Sequence, residues 1–155
     1  MTPVFLDTSV LLPGLIECGG EGAAAQQVMT ALAEGRIRNA HTAWHCCLEF
    51  LAVATRLPAE LRLRTADAVA LLEAEVLARM QVHQLPEGSR KAFLRASAEG
   101  QVAGGRFYDA HIAEIARLSG ARVVVTGNRR HFGALPNQGI RVVTAGEYAA
   151  ELAAR

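Results

Sequence analysis

The runs Val4-Phe5-Leu6 and Val123-Val124-Val125 are apolar at every position, and helical stretches lie between them. A strand that is apolar on both faces needs cover on both, and a parallel sheet flanked by helices supplies it. That architecture also fixes where function sits, because ligands of such folds bind outside the carboxyl ends of the strands. Here those ends read Asp7-Thr8-Ser9 and Thr126-Gly127-Asn128.

The rest of the chain fits the same alternation. Val10-Leu11-Leu12 runs into Pro13-Gly14, which reads as a turn after the first strand. An Ala-rich stretch predicts a helix over residues 23–34, closed by Gly35, and then an extended piece over 36–40. Thr42 is placed as the cap of a helix that carries Trp44, Leu48, Glu49 and Leu51 and stops before Pro58. Residues 59–80 predict one or two surface-packed helices, 81–85 a brief strand, and 89–102 a helix with Phe93 and Leu94 on its apolar side. A compact amphipathic helix then starts near Asp109 and ends at Gly120, and Ile140-Arg141-Val142-Val143 leads from strand to helix once more.

At 155 residues, 51% hydrophobic and 20% charged, the chain reads as one globular domain, 1–155. No apolar run approaches the roughly 20 residues that span a bilayer, and the first residues lack a basic stretch followed by an apolar core. The expected setting is cytoplasmic, with no membrane partner. Cys18, Cys46 and Cys47 form no disulfide framework and read as reduced packing residues. A net charge of +1 does not call for bulk polyanion binding, although it leaves room for local separation of charge.

The chain has three aspartates, so each can be weighed separately. Asp67 lies near Arg62 and Arg64 on a mixed helix, where a solvated role suffices. Asp7 stands between Val-Phe-Leu and Val-Leu-Leu at the functional edge of the sheet, either as a turn Asp bonded to local amides or as a working carboxylate. Asp109 at a helix start fits an ordinary N-cap equally well. Glu114 on the same helix is assigned to a surface pair with Arg117. Glu49 lies among apolar residues in Cys46-Cys47-Leu48-Glu49-Phe50-Leu51, where a dry carboxylate needs a cation or a raised pKa; His45 and Arg56 lie on its side of the helix. Three acids that converge are stable mainly around a divalent cation, and oxygen ligands suit Mg²⁺ or Mn²⁺. The five histidines show no HExxH pattern, no zinc spacing joins His to Cys, and each His reads as a packing or surface residue.

The segments FLDTSVLL, CCLEFLAVA, GGRFYDAHIAEIARLSG and VVVTGNRRHF together resemble the PIN-domain ribonucleases, and within them most the VapC-type toxins of bacterial toxin–antitoxin systems. The resemblance spans residues 5–132. It implies a three-layer α/β/α fold around a mostly parallel sheet of about five strands. It further implies Asp7, Glu49 and Asp109 as ligands of Mg²⁺, with Mn²⁺ as an alternative, and Asn128 at a fourth site position that is commonly Asp. With only three carboxylates, one metal is expected in the free protein and a second only with substrate. Thr8 and Thr126 are assigned as hydroxyls supporting the acids, a role that ordinary turn and strand-end hydrogen bonding also fits. Setting the three acids aside leaves +4 elsewhere, and Arg106, Arg129 and Arg130 become candidates for RNA phosphate contacts. The implied partners are an RNA substrate, a cognate antitoxin and a second copy of the chain, with apolar contact surfaces on residues 59–102 and the first helices.

The function expected on these grounds is metal-dependent RNA cleavage by a toxin. The alternative is a catalytically idle PIN-like module that binds RNA or protein, for which Asn128 is the favourable feature. VFLDTS also resembles phosphatases of the haloacid-dehalogenase type, but these need a second Asp where Ser9 stands. No GxxxxGK[ST] is present, and GGEG is no dinucleotide fingerprint.

Overall fold

The computed structural model describes residues 1–17 and 19–155; Cys18, and the packing role expected of it, lies outside the described residues. The elements run β1 (Val4–Leu6), α1 (Thr8–Leu15), α2 (Ala23–Ala33), β2 (Ala40–Ala43), α3 (Trp44–Ala54), α4 (Thr65–Leu72), β3 (Gln81–His83), α5 (Arg90–Glu99), α6 (Arg106–Leu118), β4 (Val123–Val125), β5 (Arg141–Val143) and α7 (Ala145–Ala153). A π turn, Glu73–Leu77, extends α4. Among the described residues no helix is long and apolar enough to cross a membrane.

The strands form one sheet in the order β3-β2-β1-β4-β5, and all four pairings are parallel. Phe5, Leu6, Val124 and Val125 are fully buried in it, each worth about 1.5–3 kcal/mol of burial. Helices α1, α2, α3, α4 and α7 pack in a chain against one another, while α5 packs on α6. The path β1 to β2 to β3 steps in one direction and the return from β3 to β4 in the other. Right-handed crossovers therefore put the two groups on opposite faces, which makes three layers. The order in which strands are added reverses between β1 and β4, and this switch point opens the crevice that holds the site.

Several elements differ from the sequence expectation, each for a physical reason. Pro13 and Gly14 do not end a turn but lie inside α1. A Cβ at Gly14 would stand 2.5 Å from Met29 Cγ and 2.8 Å from the Ala25 carbonyl oxygen, so the contact of α1 with α2 requires glycine here. The second strand falls at 40–43 rather than 36–40, because its polar residues His41 and Thr42 are buried with their bonds made. His41 shares hydrogen bonds of 2.8 Å with His83 and 2.7 Å with Asn39, and Thr42 Oγ1 donates to the Leu6 carbonyl at 2.8 Å. Thr42 is thus a strand residue and caps nothing; the N-cap of α3 is Ala43, which makes no side-chain bond. Leu94, expected on the apolar side of α5, is 59% exposed. Thr144 closes a capping box with Glu147 at the start of α7.

Candidate metal centre

Asp7 follows β1 directly and is the N-cap of α1, yet its side chain makes no capping bond. The carboxylate is 6% exposed and serves the crevice instead. Its Oδ2 accepts hydrogen bonds from Ser9 Oγ and from Thr126 Oγ1, both at 2.8 Å. Those hydroxyls in turn accept from the Gly127 and Asn128 backbone N–H groups at 2.8 and 2.9 Å. Each hydroxyl has one proton, and both protons go to Oδ2. The β1–α1 junction is thereby tied to the end of β4, and Oδ1 is left facing only the Cys46 Sγ at 3.9 Å. Burial first, and the Asp7 charge second, pushes the Cys46 thiol up to about 12, so it remains protonated. Cys47, also buried, is pushed up to about 11.

Glu49 corrects the expectation of a dry helix face. Cys46, Cys47, Phe50 and Ala54 form the buried side of α3, whereas Leu48 is half-exposed and the Glu49 side chain is 41% exposed at the rim of the crevice. Its Oε1 lies 3.2 Å from His45 Nε2, one turn earlier, and not on Arg56. Partial burial, then the Asp7 and Asp109 charges, raise the Glu49 carboxyl above its ordinary range, with His131 opposing. Burial holds the His45 imidazole below its ordinary value, with the Asp109 charge opposing.

Asp109 is not an N-cap. Helix α6 begins three residues earlier, at Arg106, and carries Asp109 in its first turn, where the exposed N–H groups favour a carboxylate. His131 Nδ1 stands 3.3 Å from Asp109 Oδ1. Asp7, Glu49, Asp109 and Asn128, contributed by four separate segments, line one cleft of about 220 Å³, together with Thr8, Ser9, His131 and the apolar Leu12, Ile112 and Phe132. Thr8 Oγ1 is buried and has no hydrogen-bond partner among the described residues.

Three carboxylates and an amide form an oxygen-rich set suited to a hard divalent cation, and the unpartnered Thr8 hydroxyl adds a polar atom within the same cleft. Among the described residues no three Asp, Glu, His or Cys side chains stand close enough together to hold a metal ion as they are placed. Glu49 and Asp109 instead rest beside His45 and His131, and both acid side chains are partly exposed.

Arg106 and Arg130 lie with Asp109 along an adjoining groove of about 400 Å³. Arg129 turns away and pairs with Glu147. Glu114 forms its expected pair with Arg117 at 2.6 Å, and Asp67 pairs with Arg64 at 2.9 Å on the surface. The sequence reading missed Ser9 and His131. Ser9 stands two residues after Asp7 and His131 three after Asn128, so proximity to the two strand ends was the available signal.

A family model described as the PIN domain matches residues 3–130. Among solved structures, PAE2754 from Pyrobaculum aerophilum is similar at 22% identity and a TM-score of 0.62, over 99% of this chain and 91% of that one. VapC20 of Mycobacterium tuberculosis, titled a sarcin–ricin loop cleaving toxin, is similar at 16% identity and 0.63, over 84% and 94%. FitAcB from Neisseria gonorrhoeae gives 17% identity and 0.59, over 92% and 97%. No curated protein matches the chain. With the match reaching from β1 past the end of β4, and so over Asp7, Glu49, Asp109 and Asn128, the chain belongs to the PIN-domain family.

Proposed function

We propose that the chain is a divalent-metal-dependent RNA endonuclease, with Mg²⁺ or Mn²⁺ as its ion, and that it acts as the toxin of a toxin–antitoxin pair. The observation that carries this reading is the meeting of Asp7, Glu49, Asp109 and Asn128 in one cleft at the switch point of the sheet. A bound divalent ion supplies a water of lowered pKa and neutralises charge on the scissile phosphate. Asp7, whose Oδ2 already accepts from two hydroxyls, would hold the ion together with Glu49 on α3 and Asp109 on α6. Asn128 adds no charge, so three carboxylates favour one ion in the free protein. Ser9 and Thr126 orient Asp7, and Arg106 and Arg130 hold RNA phosphates beside Asp109.

That VapC20 is titled a toxin cleaving the sarcin–ricin loop supports RNA as the substrate class and a toxin role. Residues 1–155 act as one unit in the cytoplasm and pair with a second copy. The idle-module reading rests on Asn128 alone. The assay is cleavage of single-stranded RNA with Mg²⁺ or Mn²⁺, with EDTA, and with Asp7→Ala. Metal-dependent cleavage that Asp7→Ala abolishes is expected, and equal cleavage by the variant removes the site assignment. Induction in cells should arrest growth with the wild type and spare it with Asp109→Ala.

A further inference from the structure

Beside the acid cleft lies a second one, of about 250 Å³, whose wall includes Trp44, His45, Gln84, Leu85, Arg90 and His111. His45 joins the two: its Nε2 holds Glu49, and its Nδ1 meets His111 Nδ1 at 3.2 Å. The His45 ring stands 5.3 Å from that of His111 and 5.6 Å from that of Tyr108. Trp44 is 41% exposed and Tyr108 63%.

The chemistry of this wall differs from that of its neighbour. The acid cleft gathers three carboxylates, whereas among the described residues no acidic side chain lines the second, which instead carries the Arg90 cation, the Gln84 amide and the imidazoles. Flat aromatic faces beside polar groups and a cation match a nucleobase on a phosphate backbone, since every base has a π face that stacks on an aromatic ring. One side chain, His45, separates this surface from Glu49, so the residue that occupies it is an immediate neighbour of whatever the acids hold.

Resting on the nuclease reading, we propose that this cleft is a nucleobase subsite. An unpaired base next to the scissile phosphate stacks on Trp44, with Gln84 and His111 at its polar edge and Arg90 toward the backbone. Because a base within a duplex is already stacked and paired, the subsite selects single-stranded RNA.

Trp44 is the chain's only tryptophan, so its fluorescence reports on this cleft alone. The experiment titrates the full chain, in Ca²⁺, with a short single-stranded RNA, an abasic strand of equal length and a duplex. Binding of a labelled strand to the wild type, Trp44→Ala and Trp44→Phe is followed in parallel. Saturable quenching by the single strand only is expected, with binding weakened about tenfold in Trp44→Ala, the loss of one base–aromatic stack, and largely restored in Trp44→Phe. Absence of quenching, quenching by the abasic strand, or wild-type binding by Trp44→Ala overturns the subsite. So does a concentration-dependent Trp44 signal without RNA that vanishes with a dimer, which would mean a second copy covers the cleft. Quenching by RNA that is never cleaved keeps the subsite and sinks the nuclease, while cleavage with an unchanged KM in Trp44→Ala does the reverse.

Discussion

Replacing Thr126 by valine tests how the site is held together, because valine keeps the shape of this fully buried side chain and removes its hydroxyl. Two bonds disappear: the one Oγ1 donates to Asp7 Oδ2 at 2.8 Å and the one it accepts from the Asn128 N–H at 2.9 Å. A bond to an ionised group in a buried setting is worth about 1.5–3 kcal/mol. The Asn128 N–H belongs to an exposed residue and recovers much of its loss from water, so the net cost is about 2 kcal/mol. For a chain of this length that lowers the melting temperature by about 4–8 °C. The variant should also lose part of the upward shift that Mn²⁺ gives the wild type, because Asp7 is no longer aimed. Paired thermal melts with and without Mn²⁺ provide the assay. A Thr126→Val melting temperature equal to that of the wild type refutes the claim that this hydroxyl holds Asp7.

Gly14→Ala drives a methyl group into Met29 and the Ala25 carbonyl, and an overpacking cost of about 1–3 kcal/mol, partly offset by the helix preference of alanine, should lower the urea midpoint. His41 and His83, which share a hydrogen bond on β2 and β3, are both held by burial below the ordinary histidine value. The unfolded chain therefore takes up more protons as pH falls below about 6.5, so stability is intact above that pH and lost beneath it. Melts across this range should show the loss, and His83→Gln should make it shallower. Arg130→Ala should weaken RNA binding and reduce the salt slope by about 0.7, one phosphate on a single strand, while Arg129→Ala, already paired with Glu147, changes it little.

The sheet was legible in the sequence because β1 and β4 are apolar at every position, which leaves a parallel arrangement as the way to cover them. β2 was not, because its burial rests on bonds made by His41 and Thr42 with residues distant in sequence, and apolar patterning does not record those bonds. Pro13-Gly14 misled for a related reason: packing against α2 overrides the local tendency to break. At the site, Asp7 and Asn128 could be placed from the strand ends alone. The partners of Glu49 and Asp109 depended on where α3 and α6 meet the crevice, and the early start of α6 moved Asp109 from a cap into the first turn. Arg129 and Arg130 are adjacent in sequence yet face different neighbours, which no pattern of charge distinguishes.

The central claim is that the acid cleft binds a divalent metal through Asp7, Glu49 and Asp109. Calorimetric titration of the free chain with Mn²⁺ tests it without reference to any substrate. One ion per chain is predicted for the wild type, with binding lost or severely weakened in Asp7→Asn, Glu49→Gln and Asp109→Asn alike. Saturation at two ions, or one-ion binding that survives all three substitutions, contradicts the account.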